Sequence, residues 1–100
     1  MIVRMFSSAI DPNDLPEVRR IFAEDIAPVF RSLSGCTSMD LLLGTDRNAG
    51  GLVDAAAVSR WSSQDELTAA IESRAVSESM VRILPFLQLE PVIRMYEIVE

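Results

Sequence analysis

Apolar and polar positions alternate along residues 2–10. Ile2, Arg4, Phe6, Ser8 and Ile10 share one face, while Val3, Met5, Ser7 and Ala9 share the other, which predicts a strand. Asp11-Pro12-Asn13 breaks the alternation. From Asp14 the apolar spacing widens to three and four residues. Leu15, Val18, Phe22, Ile26, Val29 and Leu33 form one stripe, which predicts a helix. Asp14 and Glu17 have capping-box spacing, and Pro16 fits the first turn, where its missing N–H is not needed. Pro28 removes the bond to the Glu24 carbonyl and should kink this helix; Gly35 is its natural stop.

Residues 36–43 read as a second strand, 44–51 as a flexible turn, and 52–61 as a third strand antiparallel to the second. A second helix starts near Ser62 or Ser63. Either Ser62 with Asp65 or Ser63 with Glu66 supplies its cap and acidic first turn. Its pattern weakens at Glu72-Ser73-Arg74, resumes through Met80, Ile83 and Leu84, and ends at Pro85. Pro91 introduces a last strand over 92–99.

The order β-α-β-β-α-β over one domain, residues 1–100, predicts an α+β, ferredoxin-like fold with a four-stranded antiparallel sheet. Right-handed crossovers put both helices on one face of that sheet. The other face is apolar as well. Strand two sends Leu41 and Leu43 one way and Leu42 the other. Strand three sends Val53, Ala55, Ala57 and Trp61 one way and Leu52, Ala56 and Val58 the other. A sheet with one wet face alternates more cleanly than this, so a second copy of the chain is the expected cover.

Charge and composition remove whole classes of function. The net charge is −6, from nine basic and fifteen acidic residues, and the only basic pair is Arg19-Arg20. Nucleic acid and anionic membrane surfaces are therefore poor partners. No apolar run reaches the roughly 20 residues of a membrane span. The start, Met1 to Phe6, lacks a signal-peptide pattern, so a cytoplasmic location is the expectation. All nine basic residues are arginines and histidine is absent. A histidine base, a histidine metal ligand, a lysine Schiff base and a P-loop lysine are thus excluded within the chain. Cys36 is alone, which excludes an internal disulfide and a cysteine-rich metal site.

The run Val58-Ser59-Arg60-Trp61-Ser62-Ser63-Gln64-Asp65-Glu66-Leu67 is the most distinctive segment. It joins a Pro-containing first helix ending in Leu33-Ser34-Gly35, a Leu84-Pro85 helix end and a last strand with Tyr96. Together these resemble the antibiotic biosynthesis monooxygenase family of dimeric α/β-barrel proteins, over nearly the whole chain. The resemblance implies two sheets closed into a barrel across a homodimer, with a ligand pocket in each subunit between helices and sheet. It implies oxidation of a small hydrophobic aromatic metabolite, phenolic or polyketide-like, by oxygen with no metal, flavin or other cofactor. The alternative it leaves open is a non-catalytic dimer of the same fold that binds a small apolar ligand.

Carried over by position, Trp61 matches the tryptophan that ends the third strand in quinone-forming members. Their asparagine four residues earlier is here Ala57, their tyrosine six residues later is Leu67, and Arg82 is nearest to their helix arginine. Haem-degrading relatives need a histidine on the iron, which this chain lacks. Their second-helix tryptophan falls at Ala70 and their first-strand asparagine near Ser7 or Ser8.

The candidate catalytic set is Trp61, Ser7 and Ser59, and the candidate substrate-binding set is Ala57, Leu67 and Arg82. Each has a plainer role beside the functional one. Trp61 either stacks on an aromatic ligand or anchors the strand end to the second helix. Ser7 and Ser59 bind a phenolic oxygen only if they face the helices. Arg4, Arg60 and Arg94 either meet an anionic substrate or pair with an acid or solvent. Ala55-Ala56-Ala57 leaves either a cavity or close helix–sheet packing.

Overall fold

The computed structural model describes all residues, 1–100. The chain runs β1 (Ile2–Ile10), a 3₁₀ turn (Pro12–Asp14), α1 (Leu15–Ile21), a π-helical turn (Phe22–Ile26) and α2 (Ala27–Arg31). It continues through β2 (Cys36–Arg47), β3 (Val53–Trp61), α3 (Gln64–Ile71), α4 (Arg74–Val81), a 3₁₀ turn (Leu84–Phe86) and β4 (Val92–Glu97). The sheet order is β2-β3-β1-β4, all antiparallel, as the ferredoxin-like reading requires. No helix is long and apolar enough to cross a membrane.

Strand register sorts the side chains into rows, because directly paired residues share a face. On one face lie the rows Leu41–Ala57–Phe6–Ile93 and Met39–Ser59–Arg4–Met95. The helices cover this face. Ile10, Met39 and Trp61 of the strands join Val18, Ile21, Ile26 and Phe30 of the first helical run in one buried cluster, with Leu67, Ala70 and Val76 of the second. On the opposite face lie Leu42–Ala56–Ser7–Val92 and Asp40–Val58–Met5–Arg94, with no element of the chain above them. The helices also stop short of the edge strand β4. Val92, Ile93, Met95 and Tyr96 are each 48% exposed, although they alternate between faces.

Several local expectations are refined by the coordinates. Asp14 makes no side-chain cap. Asp11, one turn earlier, accepts from the Asn13 N–H and starts the 3₁₀ turn instead. Glu17 is free of capping and pairs with Arg20. The kink expected at Pro28 takes the form of the π turn, in which the Ala27 N–H reaches back five residues to the Phe22 carbonyl. The widened turn accommodates the proline ring, which would otherwise meet the carbonyl four residues before it. The second strand is longer than 36–43, running to Arg47 through a register shift between Leu43 and Arg47. The turn is then short. Asn48 Oδ1 accepts from the N–H groups of Gly50 and Leu52, at 2.9 and 3.1 Å.

Of the two caps possible for the second helix, Ser63 with Glu66 forms. Ser63 Oγ accepts from the Glu66 N–H at 3.2 Å. The weak point at 72–74 is a true break, where Ser73 caps α4 by accepting from the Val76 N–H.

Candidate functional site

Three elements meet at one apolar cavity. The sheet contributes Phe6, Ser8 and Ile10 from β1, Leu41 from β2 and Ala55 to Ala57 from β3. The first helical run contributes Val18, Phe22 and Ile26, and the far end of the second contributes Met80 and Ile83, with Leu87 beyond it. The small side chains of β3 make the space. Alanine at 55 and 57, the two that face the helices, leaves a gap where larger residues would meet them.

The cavity encloses about 40 Å³. An aromatic ring needs roughly 150 Å³, so admitting one requires side chains to move aside. Met80 is suited to that, being unbranched and flexible.

Ser8 is the only polar side chain in the lining. Its hydroxyl donates to the Leu89 carbonyl at 2.7 Å. This bond belongs to a seam in which residues 87–89 return along β1. Ile10 bridges to Leu87, and the Gln88 N–H donates to the Ala9 carbonyl at 2.9 Å. With its proton committed, the Ser8 oxygen can act only as an acceptor toward a ligand.

The six residues singled out from the sequence are dispersed by the fold. Ala57 lines the cavity. Ser7 does not, because alternation along β1 turns Phe6 and Ser8 toward the helices and Ser7 to the opposite face, beside Ala56 and Val92. Ser59 does face the helices, but it is buried under the indole and accepts from Trp61 Nε1 at 2.9 Å. Trp61 is fully buried and meets Phe30 edge-on, with ring centroids 6.4 Å apart. Leu67 is a core residue of α3. Arg82 lies at the surface, paired with Asp25 at 3.2 Å.

The lining residues missed in the sequence were nevertheless marked there. They fall where the even face of β1, the helical stripe at Val18, Phe22 and Ile26, and the three alanines of β3 coincide. Met80 and Ile83 belong to the apolar pattern that resumes after the break; only Leu87, beyond the 3₁₀ turn, carries no local signal.

Three groups outside the cavity lining have shifted titration. Arg4 is only 7% exposed, and its Nε has no hydrogen-bond partner. Its guanidinium carbon lies 5.7 Å from the centre of the Phe6 ring. Burial lowers its pKa from the ordinary value. At the Trp61–Cys36 end of the sheet, away from the cavity, the Glu66 carboxylate accepts from the hydroxyls of Ser34, Ser62 and Ser63, at 2.8 to 3.0 Å. These bonds, that of Ser34 foremost, hold its pKa below the ordinary carboxylate value. Burial pushes the Cys36 thiol up, as befits a small packing residue rather than a reactive one.

No family model and no curated protein matches the chain. Solved structures do. A candidate antibiotic biosynthesis monooxygenase from Bordetella bronchiseptica superposes with a TM-score of 0.76 at 17% identity, covering 99% of this chain and 97% of that one. Its counterpart from Nitrosomonas europaea gives 0.76 at 10% identity, with both chains covered fully. Rv0793 from Mycobacterium tuberculosis gives 0.72 at 17% identity, over 99% of this chain and 95% of that one. The resemblance seen along the sequence thus extends to three dimensions, and the chain has the ferredoxin-like α+β fold shared by structures that carry the antibiotic biosynthesis monooxygenase name.

Proposed function

We propose that the chain is a homodimeric, cofactor-independent monooxygenase that oxidises a small hydrophobic aromatic metabolite in the cavity between helices and sheet. The observation that carries this reading is the cavity itself: apolar walls around one polar group, on a fold shared with candidate monooxygenases. Such a lining excludes water and holds a flat ring by contact rather than by hydrogen bonds. The chemistry asks for little more. An ionised phenol or anthrone gives electrons to oxygen. One oxygen atom ends on the ring as a carbonyl, and the other leaves as water.

In this reading Ala57 floors the pocket and the Ser8 oxygen meets a ligand hydroxyl. Trp61 and Ser59 are positioning residues, since the indole bond to Ser59 fixes the row next to Ala57. Leu67 holds α3 against that row. Arg82 and Ser7 lie outside the pocket. Arg82 keeps α4 on the first helical run through Asp25, and Ser7 belongs to the face met by the second copy.

A second reading is favoured by one specific fact. No side chain in the cavity lining is titratable, so nothing there can take a proton from the substrate. A non-catalytic dimer that binds a small apolar ligand would have the same lining.

Oxygen uptake by metal-free protein with a panel of phenols and anthrones separates the two. The first reading expects uptake above the protein-free rate, and its loss in Ala57→Leu, whose longer side chain fills the floor. Uptake unchanged in a folded Ala57→Leu protein rules out this cavity as the reaction site. Thermal stabilisation by the same compounds without uptake establishes the second reading.

A further inference from the structure

Arg4 is the one buried cation of this molecule, and it makes no ion pair within the chain. The four ion pairs use Arg20 with Glu17 and Glu24, Arg74 with Glu78, and Arg82 with Asp25. Arg4 takes part in none, and its Nε is buried without a partner. Its cross-strand neighbours are Ser59 and Met95, neither of which bears charge. The acid on the same face, Glu97 opposite Ile2, makes no ion pair with it. A guanidinium largely withdrawn from water without a counter-ion destabilises the fold, so its retention there points to an anion from elsewhere.

Its position says what kind of anion. The Met39–Ser59–Arg4–Met95 row adjoins the Leu41–Ala57–Phe6–Ile93 row, whose first three members line the cavity. The Arg4 guanidinium lies against the Phe6 ring, so one side chain is shared by the cation and the cavity wall. Beyond Phe6 and Arg4, Ile93 and Met95 of β4 lie on the same face but are left uncovered by the helices. An apolar strip therefore leads from the edge of the sheet past one cation to the cavity.

We infer that Arg4 is the anion anchor of this site, and that the ligand is an aromatic molecule bearing an ionised oxygen, whether carboxylate or phenolate. The ring lies against Phe6 and toward the alanine floor, and its anionic oxygen accepts from the guanidinium. The inference rests on the cavity being the ligand site but not on the oxygen chemistry proposed for it. It also supplies what the lining lacks. With no base in the pocket, the substrate is bound already ionised, and Arg4 selects that form.

Binding of 2-naphthoate and of its neutral amide, 2-naphthamide, tests this directly, because oxygen oxidises neither under these conditions. Titrations followed by calorimetry or NMR at neutral pH should show the wild-type protein preferring the carboxylate by about tenfold. Arg4→Met should remove the preference while leaving the amide's affinity within about twofold. Arg4→Lys, which keeps the charge but not the planar fork, should retain part of it. Equal affinities in the wild-type protein overturn the inference even if Arg4→Met does not fold, as does failure of naphthoate to bind. A preference that survives in Arg4→Met overturns it too. So does an Arg4→Met protein that loses dimerisation while the wild type binds both probes alike, which gives Arg4 to the subunit interface. A carboxylate preference without oxygen uptake by any phenol keeps the anchor and removes the oxygenase reading. Uptake without that preference does the reverse.

Discussion

The indole of Trp61 has its hydrogen bond within the protein, to Ser59, and its edge against Phe30. Nothing about it is left for a ligand to satisfy, so its substitution acts first on stability. Trp61→Phe removes the donor and leaves the Ser59 hydroxyl buried without it, which costs about 1–3 kcal/mol. A denaturant midpoint that does not move would mean the indole is not held as described. The sequence marks Trp61 as singular but not its environment. A tryptophan at a strand end reads equally as a pocket wall or a core anchor, and the choice depends on Phe30, thirty-one positions away. Ser7 and Ser8 show the opposite case. Their alternation was legible, and only the identity of the helix-covered face was needed to choose Ser8 over Ser7.

At the scale of elements, the junction of α2, β2 and α3 is held by one carboxylate. Glu66 caps α3 with Ser63 and accepts from Ser62 and from Ser34 across the loop. Gly35 makes this approach possible. It adopts φ +84°, and a Cβ there would collide with the Glu66 carboxylate. Because the folded-state pKa of Glu66 lies below its unfolded value, its ionised form stabilises the protein above the unfolded pKa. That contribution is lost as the pH falls through the folded value. Glu66→Gln should therefore be less stable than wild type at neutral pH, and the gap should close in acid. A gap that stays constant from neutral pH to pH about 3 would show that the ionised form is not what matters.

The existence and order of the elements were readable from periodicity and from Pro28, Gly35 and Pro85. Their ends were less so. The β2 extension to Arg47 carries polar residues, because it projects past the core. The π turn leaves no pattern of its own, since its apolar residues still fall on the helical stripe.

At the scale of the molecule, the sheet has one covered face and one uncovered. The uncovered face carries Val3, Met5, Ala56 and Val58 at its centre, flanked by Leu42, Val92 and Tyr96. Arg60, Arg94, Asp40 and Asp54 alternate with them, giving both signs of charge for a self-complementary contact. This much was visible in the runs Leu41-Leu42-Leu43 and Ala55-Ala56-Ala57, which are apolar on both sides of a strand. What the sequence did not show is that β4 is bare on both faces, so a second copy has an edge as well as a face to cover. The most direct measurement is the solution mass by sedimentation equilibrium, for wild type and for Val58→Asp, which puts a charge at the centre of the uncovered face. The account expects about 22 kDa for the wild type, twice the 11.1 kDa of one chain, and the single-chain mass for the variant. A wild-type mass of 11.1 kDa at high concentration, or a Val58→Asp protein that still pairs, would contradict it.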